Sequence, residues 1–316
     1  MHDDVTRNGY APYPLDPDPA AFGLVTTSVH NVLGSAVAYH RPERTSTRAT
    51  IFLHGAAGSW STWTPLLTAA ERADIPIVNP VLVDMPGWGR GTLGADPADR
   101  TIETVATLVR EVAEALGYTE WDLVGHSMGG FIALHMASVW PQSVLSVGTV
   151  SATTWSVIES VAHPVRRFGV LPAFTALWQV MRLLAALGAV GVGLIRGVHR
   201  IGLLRTATLP LFRHGYRVGR SVAQSIADDV RPASFAAAAE ITRGYDADTR
   251  WCGIECPVRA VVGDRDVFVL GSDLERLRRI QPDAVTTVIE DCGHFAQIER
   301  PLETLEALGI VAPRLR

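Results

Sequence analysis

Gly125-His126-Ser127-Met128-Gly129 sets one serine between two glycines. Leu123 and Val124 before it read as the end of a strand, and the apolar residues after it recur at helical spacing. The spacing G-x-S-x-G is weak by itself in a chain with 28 glycines. A strand that ends there and reopens as a helix gives it meaning. The corner must be tight, and side chains at the glycine positions would meet neighbouring backbone. Such a corner lifts the hydroxyl above the strand ends, beside a helix N-terminus whose free N–H groups favour negative charge. A serine hydroxyl is a poor nucleophile until a base takes its proton, and the base needs an acid to orient it. His294 follows the last strand-like run, within Asp291-Cys292-Gly293-His294-Phe295. The run before that ends in Val261-Val262-Gly263-Asp264-Arg265-Asp266, which offers two acids at the same sheet edge. His54, His126 and His135 read as structural, the first two as residues that shape turns.

The surrounding elements must bring these groups together. Residues 24–31 and 35–40 read as two strands of a hairpin around Asn31 to Gly34. Ala49 to Leu53 reads as a strand buried on both faces, residues 59–72 as a helix, and residues 76–84 as the next strand. Residues 101–117 predict a helix with Thr101 as N-cap and Gly117 at its end. Further strands are expected at 144–152, 258–264 and 284–291, with helices at 273–280 and from about Ala296. Strand and helix in alternation predict a mostly parallel sheet covered by helices on both faces.

The alternation breaks once. Residues 153–245 contain no good strand and carry eleven arginines against four acids. They are expected to form a helical cap (lid) inserted between two parts of one core, 24–152 and 246–316, with residues 1–23 as an N-terminal arm. The run 169–195 holds one charge, Arg182. Its Gly, Pro, Gln and Thr residues favour a buried or lid helix over a membrane span. Arginines at 196, 200, 205, 213, 217 and 220 are spaced to fringe one helical face. They read either as a solvated face or as cationic ends beside an oily wall, suited to an anionic substrate group or an anionic membrane surface.

The whole-chain numbers exclude some classes. With 316 residues and 47% hydrophobic content the chain can bury a sizeable core. Its net charge of -4 gives no reason to expect nucleic acid. All 28 basic residues are arginine. Three cysteines imply no disulfide framework, and Cys252 with Cys256 make a poor zinc site. The acidic, proline-rich first residues lack the pattern of a signal peptide, and a cytoplasmic location is expected.

In order, LHGAAGSW, DMPGWGR, GHSMGG, VVGDRD and CGHF resemble the α/β-hydrolase superfamily from about residue 24 onward. The resemblance implies an α/β-hydrolase fold of about eight strands, a cap after the sixth, and no cofactor or metal. It makes Ser127 the nucleophile and His294 the general base and acid. It selects Asp266 over Asp264 as the orienting acid, with Asp264 the runner-up. It assigns the oxyanion donors to the backbone N–H groups of Ala56 and Met128. Trp60, Trp63 and Trp88 either line the acyl pocket or pack beneath the cap, with Trp60 and Trp88 the expected substrate contacts. A serine nucleophile argues against epoxide opening and halide removal, because the ether it would form is not hydrolysed; it argues for acyl transfer. The expected substrates are hydrophobic carboxylic esters, lactones or thioesters. A silent ligand-binding member, a carbon–carbon bond hydrolase and an acyltransferase are the alternatives.

Overall fold

The computed structural model describes residues 9–31, 34–94 and 96–310. Its sheet runs through β1 (Val25–Asn31), β2 (Gly34–His40), β3 (Arg48–Leu53), β4 (Pro80–Asp84), β5 (Thr92–Leu93), β6 (Glu120–His126), β7 (Val144–Val150), β8 (Val258–Gly263) and β9 (Val285–Ile289). Among the described residues the order is β1-β2-β4-β3-β6-β7-β8-β9, with the short β5 beside β2. Strand β2 pairs antiparallel with β1, β4 and β5, and the other pairs are parallel. This is an α/β-hydrolase fold. The central strands β3, β4 and β6 are almost wholly buried, as strands covered on both faces must be.

Helices cover both faces: α1 (Thr64–Arg72), α2 (Ile102–Ala115), α3 (Met128–Val139) and, after β7, eight more among the described residues. These are α4 (Trp155–Ala162), α5 (Pro164–Arg167), α6 (Pro172–Ala186), α7 (Ala189–Arg200), α8 (Leu203–Thr208), α9 (Arg220–Asp228), α10 (Pro232–Glu240) and α11 (Ala247–Trp251). Helix α12 (Gly271–Ile280) lies between β8 and β9, and α13 (Ala296–Glu299) and α14 (Pro301–Leu308) close the chain. Six strands of the main path precede the helical segment between β7 and β8. Helix α2 starts at the expected cap: Thr101 Oγ1 accepts from the Thr104 N–H, and Thr104 Oγ1 accepts from the Thr101 N–H. Helix α3 is buried from Met128 to Ala137, because it lies between the sheet and further helices.

Two boundaries differ from expectation. The strand expected over 76–84 begins at Pro80, because Asn79 turns the chain at φ 40° and ties it to the preceding loop through Thr45 and Arg48. The apolar run 169–195 splits into α6 and α7 at Gly188, whose φ of 53° breaks the helix. Among the described residues no helix is long and apolar enough to cross a membrane. In the arm, residues 1–8 lie outside the described residues, and Tyr10, Ala11 and Leu15 are buried against the body. The two residues between Asn31 and Gly34 also lie outside them, while the flanking strands pair antiparallel with Asn31 opposite Gly34.

Candidate active site

Ser127 stands between β6 and α3 with φ 52° and ψ −117°. This conformation is strained for a residue with a side chain, at a cost of about 1–3 kcal/mol. The surroundings hold it: the Ser127 N–H donates to the Val150 carbonyl at 2.9 Å, and the Gly130 N–H donates to the Ser127 carbonyl at 3.0 Å. The neighbouring glycines are a steric requirement. A Cβ on Gly125 would strike the backbone of Gly129, and one on Gly129 would strike the Leu53 carbonyl and lie 2.7 Å from that of His54. The corner therefore packs β6, α3 and the loop after β3 at backbone contact.

His294 and Asp266 meet at this edge. His294 Nδ1 lies 2.9 and 3.0 Å from the two oxygens of Asp266, which sets the ring proton on Nδ1 and leaves Nε2 free to act as a base. Asp266 is held in turn by the N–H groups of Phe268 and Val269, at 2.7 and 3.2 Å. Asp264 points elsewhere. It accepts the Cys292 N–H at 3.0 Å and pairs with Arg265. The structure thus brings one of the two candidate acids to the histidine and uses the other to pin a loop.

Ser127 and His294 line one cavity of about 400 Å³, within the range of small-molecule sites. Among the described residues the Ser127 hydroxyl has no hydrogen-bond partner, so it is free toward that space. Catalytic hydrogen bonds often tighten only when substrate is bound. Ala56 and Met128 line the cavity too. Neither of their N–H groups is used by a carbonyl among the described residues, and Met128 begins α3, where orphan donors and the helix dipole favour an anion. The rest of the wall is mostly apolar, including Val157, Phe174, Met181, Leu204, Phe235 and Phe268, with His126 and three threonines among them. No carboxylate or arginine lines it, so the expected reading of substrate charge by arginine has no counterpart inside the cavity.

Trp60 and Trp88 do not line this cavity, which corrects their expected role as acyl-pocket contacts. Trp60 stacks on Tyr39 at 4.5 Å, and its backbone N–H donates to Asp84 at 2.8 Å. Trp88 is buried in the core and borders a smaller space shared with Met128 and Ile132. Trp63 packs on Phe52. Loop aromatics that face the sheet bury more area than they would in an open pocket.

Sequence reading missed what frames His294. Its N–H donates to the Leu211 carbonyl at 2.9 Å, and its carbonyl lies 3.0 Å from His126 Nε2. Its neighbours Gly293 and Phe295 both donate to the buried carboxylate of Glu299, at 2.9 and 3.1 Å. Glu299 also accepts from the Tyr10 hydroxyl at 2.7 Å and the Arg213 N–H at 2.9 Å. Burial pushes its carboxyl above the usual range, and these four hydrogen bonds pull against that. One available signal is an acid directly after the mostly apolar run Phe295 to Ile298. The three other histidines of interest are neutral. Burial lowers His54 and His135 to about 4, and burial with His294 nearby holds His126 well below its ordinary value. His54 Nε2 accepts from the Met85 N–H at 3.1 Å, and His135 meets the Tyr245 hydroxyl at 3.0 Å.

A model described as the alpha/beta hydrolase family matches residues 50–308. RutD of Escherichia coli, a protein named for carbamate hydrolysis, is 26% identical over 82% of this chain and 88% of its own length. Bifunctional epoxide hydrolase 2 of Mus musculus is 19% identical over 94% of this chain and 56% of its own. The chain spans 24% to 56% of the length of the first curated relatives it matches. Among solved structures, Cfl2 from Burkholderia cenocepacia superposes with a TM-score of 0.73 at 17% identity, over 95% of this chain and 99% of that one. That likeness is one of fold.

Proposed function

The chain belongs to the alpha/beta hydrolase family, and from that premise we propose that it is a serine hydrolase for hydrophobic carboxylic esters, lactones or thioesters. Ser127 Oγ attacks the acyl carbon while His294 Nε2 takes the hydroxyl proton. Asp266 keeps the imidazole in the required tautomer and stabilises the imidazolium. The carbonyl oxygen becomes an alkoxide and is met by the N–H groups of Ala56 and Met128, at about 3 kcal/mol per donor. Collapse of the tetrahedral intermediate breaks the bond to the leaving alcohol or thiol, which receives its proton from His294. A water molecule, deprotonated by His294, then attacks the acyl-enzyme. The acid leaves, and Ser127 regains its proton.

One observation carries this reading: a strained serine and a histidine held by a buried aspartate face the same apolar cavity. The similarity to a protein named for carbamate hydrolysis is compatible, since a carbamoyl group is transferred by the same steps. Epoxide opening, the activity in the other relative's name, is excluded by the nucleophile. An alkyl ether on Ser127 has no carbonyl through which water could release it. The apolar wall selects an uncharged acyl body.

A p-nitrophenyl ester series from acetate to dodecanoate tests the reading. The expected result is a kcat/KM that rises with chain length and then falls when the cavity is full, with turnover absent in Ser127→Ala. Equal turnover in Ser127→Ala, or none by the wild type on any chain length, would overturn it.

A further inference from the structure

The wall of the cavity has an outer face. Helix α6 packs on α7, and α7 on α8. Their inner side chains, such as Met181, Val198 and Leu204, line the cavity. Many of their outer side chains are apolar too. Leu183, Leu187, Val190, Leu194, Ile201 and Leu203 are each at least 45% exposed. On α6, Val180, Leu183 and Leu187 recur at spacings of three and four, and on α7 Val190, Leu194 and Ile201 at spacings of four and seven. Each set forms a single stripe. Val180 lines the cavity and is itself 51% exposed, so the cavity reaches the surface at this face. An apolar surface of this extent marks a contact with something other than water.

The charges indicate what that something is. From Arg166 to Arg220 there are nine arginines and no acid. Arg167, Arg182 and Arg213 pair with Glu159, Glu240 and Asp291. Arg166, Arg196, Arg200, Arg205 and Arg220 have no ionic partner among the described residues. Arg196 and Arg200 lie four apart on α7, on a different side from its apolar stripe. The nearby acid Asp228 meets His199 at 3.0 Å. A second copy of the chain is a poor occupant, because a twofold pairing would set these arginines against each other. Apolar stripes on helices too short to span a bilayer, fringed by arginine, suit the interface of an anionic one.

We propose that the outer face of α6, α7 and α8 docks on an anionic lipid bilayer, with the apolar stripes in the headgroup and acyl boundary and the free arginines against lipid phosphates. The cavity mouth at Val180 then opens toward the membrane. Resting on the serine-hydrolase reading, this makes the substrate class an amphiphile with a long acyl chain that partitions into the bilayer.

Flotation of the full chain with vesicles tests the docking without using turnover. Wild type is expected to float with vesicles of phosphatidylglycerol and phosphatidylcholine at low salt, at least tenfold more than with phosphatidylcholine alone. Each arginine near such a surface contributes about fivefold in partitioning, so the triple variant Arg196→Gln, Arg200→Gln, Arg205→Gln should lose about a hundredfold. Leu183→Ser with Leu187→Ser and Leu194→Ser should also lose binding, while both sets keep wild-type rates on a soluble short-chain ester. Failure of wild type to float, wild-type flotation by either set, or a dimer in ultracentrifugation that the serine set dissolves would each overturn the proposal. Vesicle binding with no esterase activity would leave docking in place and remove only the hydrolase reading.

Discussion

Replacing Glu299 with glutamine changes one atom in the group that frames His294. Glu299 Oε2 accepts from the Tyr10 hydroxyl and the N–H groups of Arg213 and Gly293, and Oε1 accepts from the Phe295 N–H. A glutamine that keeps its carbonyl at the Oε2 place presents its NH2 to the Phe295 N–H. One charge-assisted hydrogen bond is lost and two donors face each other, a cost of about 2–3 kcal/mol. Glu299→Ala leaves three backbone donors buried without partners and should cost about 3–5 kcal/mol. Burial holds the carboxyl above its usual range, against the pull of these bonds. The loop of Gly293 to Phe295 carries the proposed general base, and a displacement of about 1 Å costs about a hundredfold in rate. Glu299 does not line the cavity, so KM should hold while kcat falls. Urea unfolding gives the stability and a soluble p-nitrophenyl ester gives the kinetics. A Glu299→Gln protein within about 0.5 kcal/mol of wild type, with unchanged kcat, would refute the reasoning, because ordinary surface substitutions stay in that range.

Two other perturbations separate chemistry from structure. Asp266→Asn should lower kcat about 10⁴-fold with little change in stability, since the wrong tautomer of His294 would be favoured. Asp264→Asn should cost stability through the Cys292 N–H and leave most of the activity; equal kinetic losses in the two would contradict the assignment. The buried histidines set an acid limit. Folded His135 stays neutral down to about 4, whereas the unfolded chain takes up that proton near 6.5. Its contribution is therefore fully present above pH 6.5 and is lost as pH falls toward 4, by about 1.4 kcal/mol per pH unit and up to about 3 kcal/mol. His54 and His126 act in the same direction. The urea midpoint should fall steadily below pH 6.5 and fall less steeply in His135→Gln; the same slope in both would count against it.

The strand and helix order was legible because it rests on periodicity and on backbone-level devices. Val81 to Val83 and Ile51 to Leu53 must be strands buried on both faces, and Thr101 can serve α2 only as a cap. The elbow was legible for the same reason, since Gly125 and Gly129 answer a steric demand of the turn. What pattern could not supply was direction in space. Asp264 and Asp266 stand two residues apart in one loop; strand order left both open, the family resemblance selected Asp266, and the structure sets Asp266 against His294 and Asp264 against the Cys292 N–H. Trp60 and Trp88 sit in loops at the right edge and turn inward, a choice set by Tyr39 and the core rather than by their neighbours in sequence. Glu299 was overlooked because its four donors come from residues as distant in sequence as Tyr10 and Phe295. Asn79 ended a strand early through contacts with Thr45 and Arg48, which are equally nonlocal.

The central claim is an activated Ser127, and labelling reads it directly. The protein is treated with a fluorophosphonate at neutral pH, and intact mass is followed by peptide mapping. One adduct per chain is expected, on Ser127, forming far more slowly in His294→Ala and not at all in Ser127→Ala. A folded protein that takes no adduct, or takes it on another residue, would contradict the account.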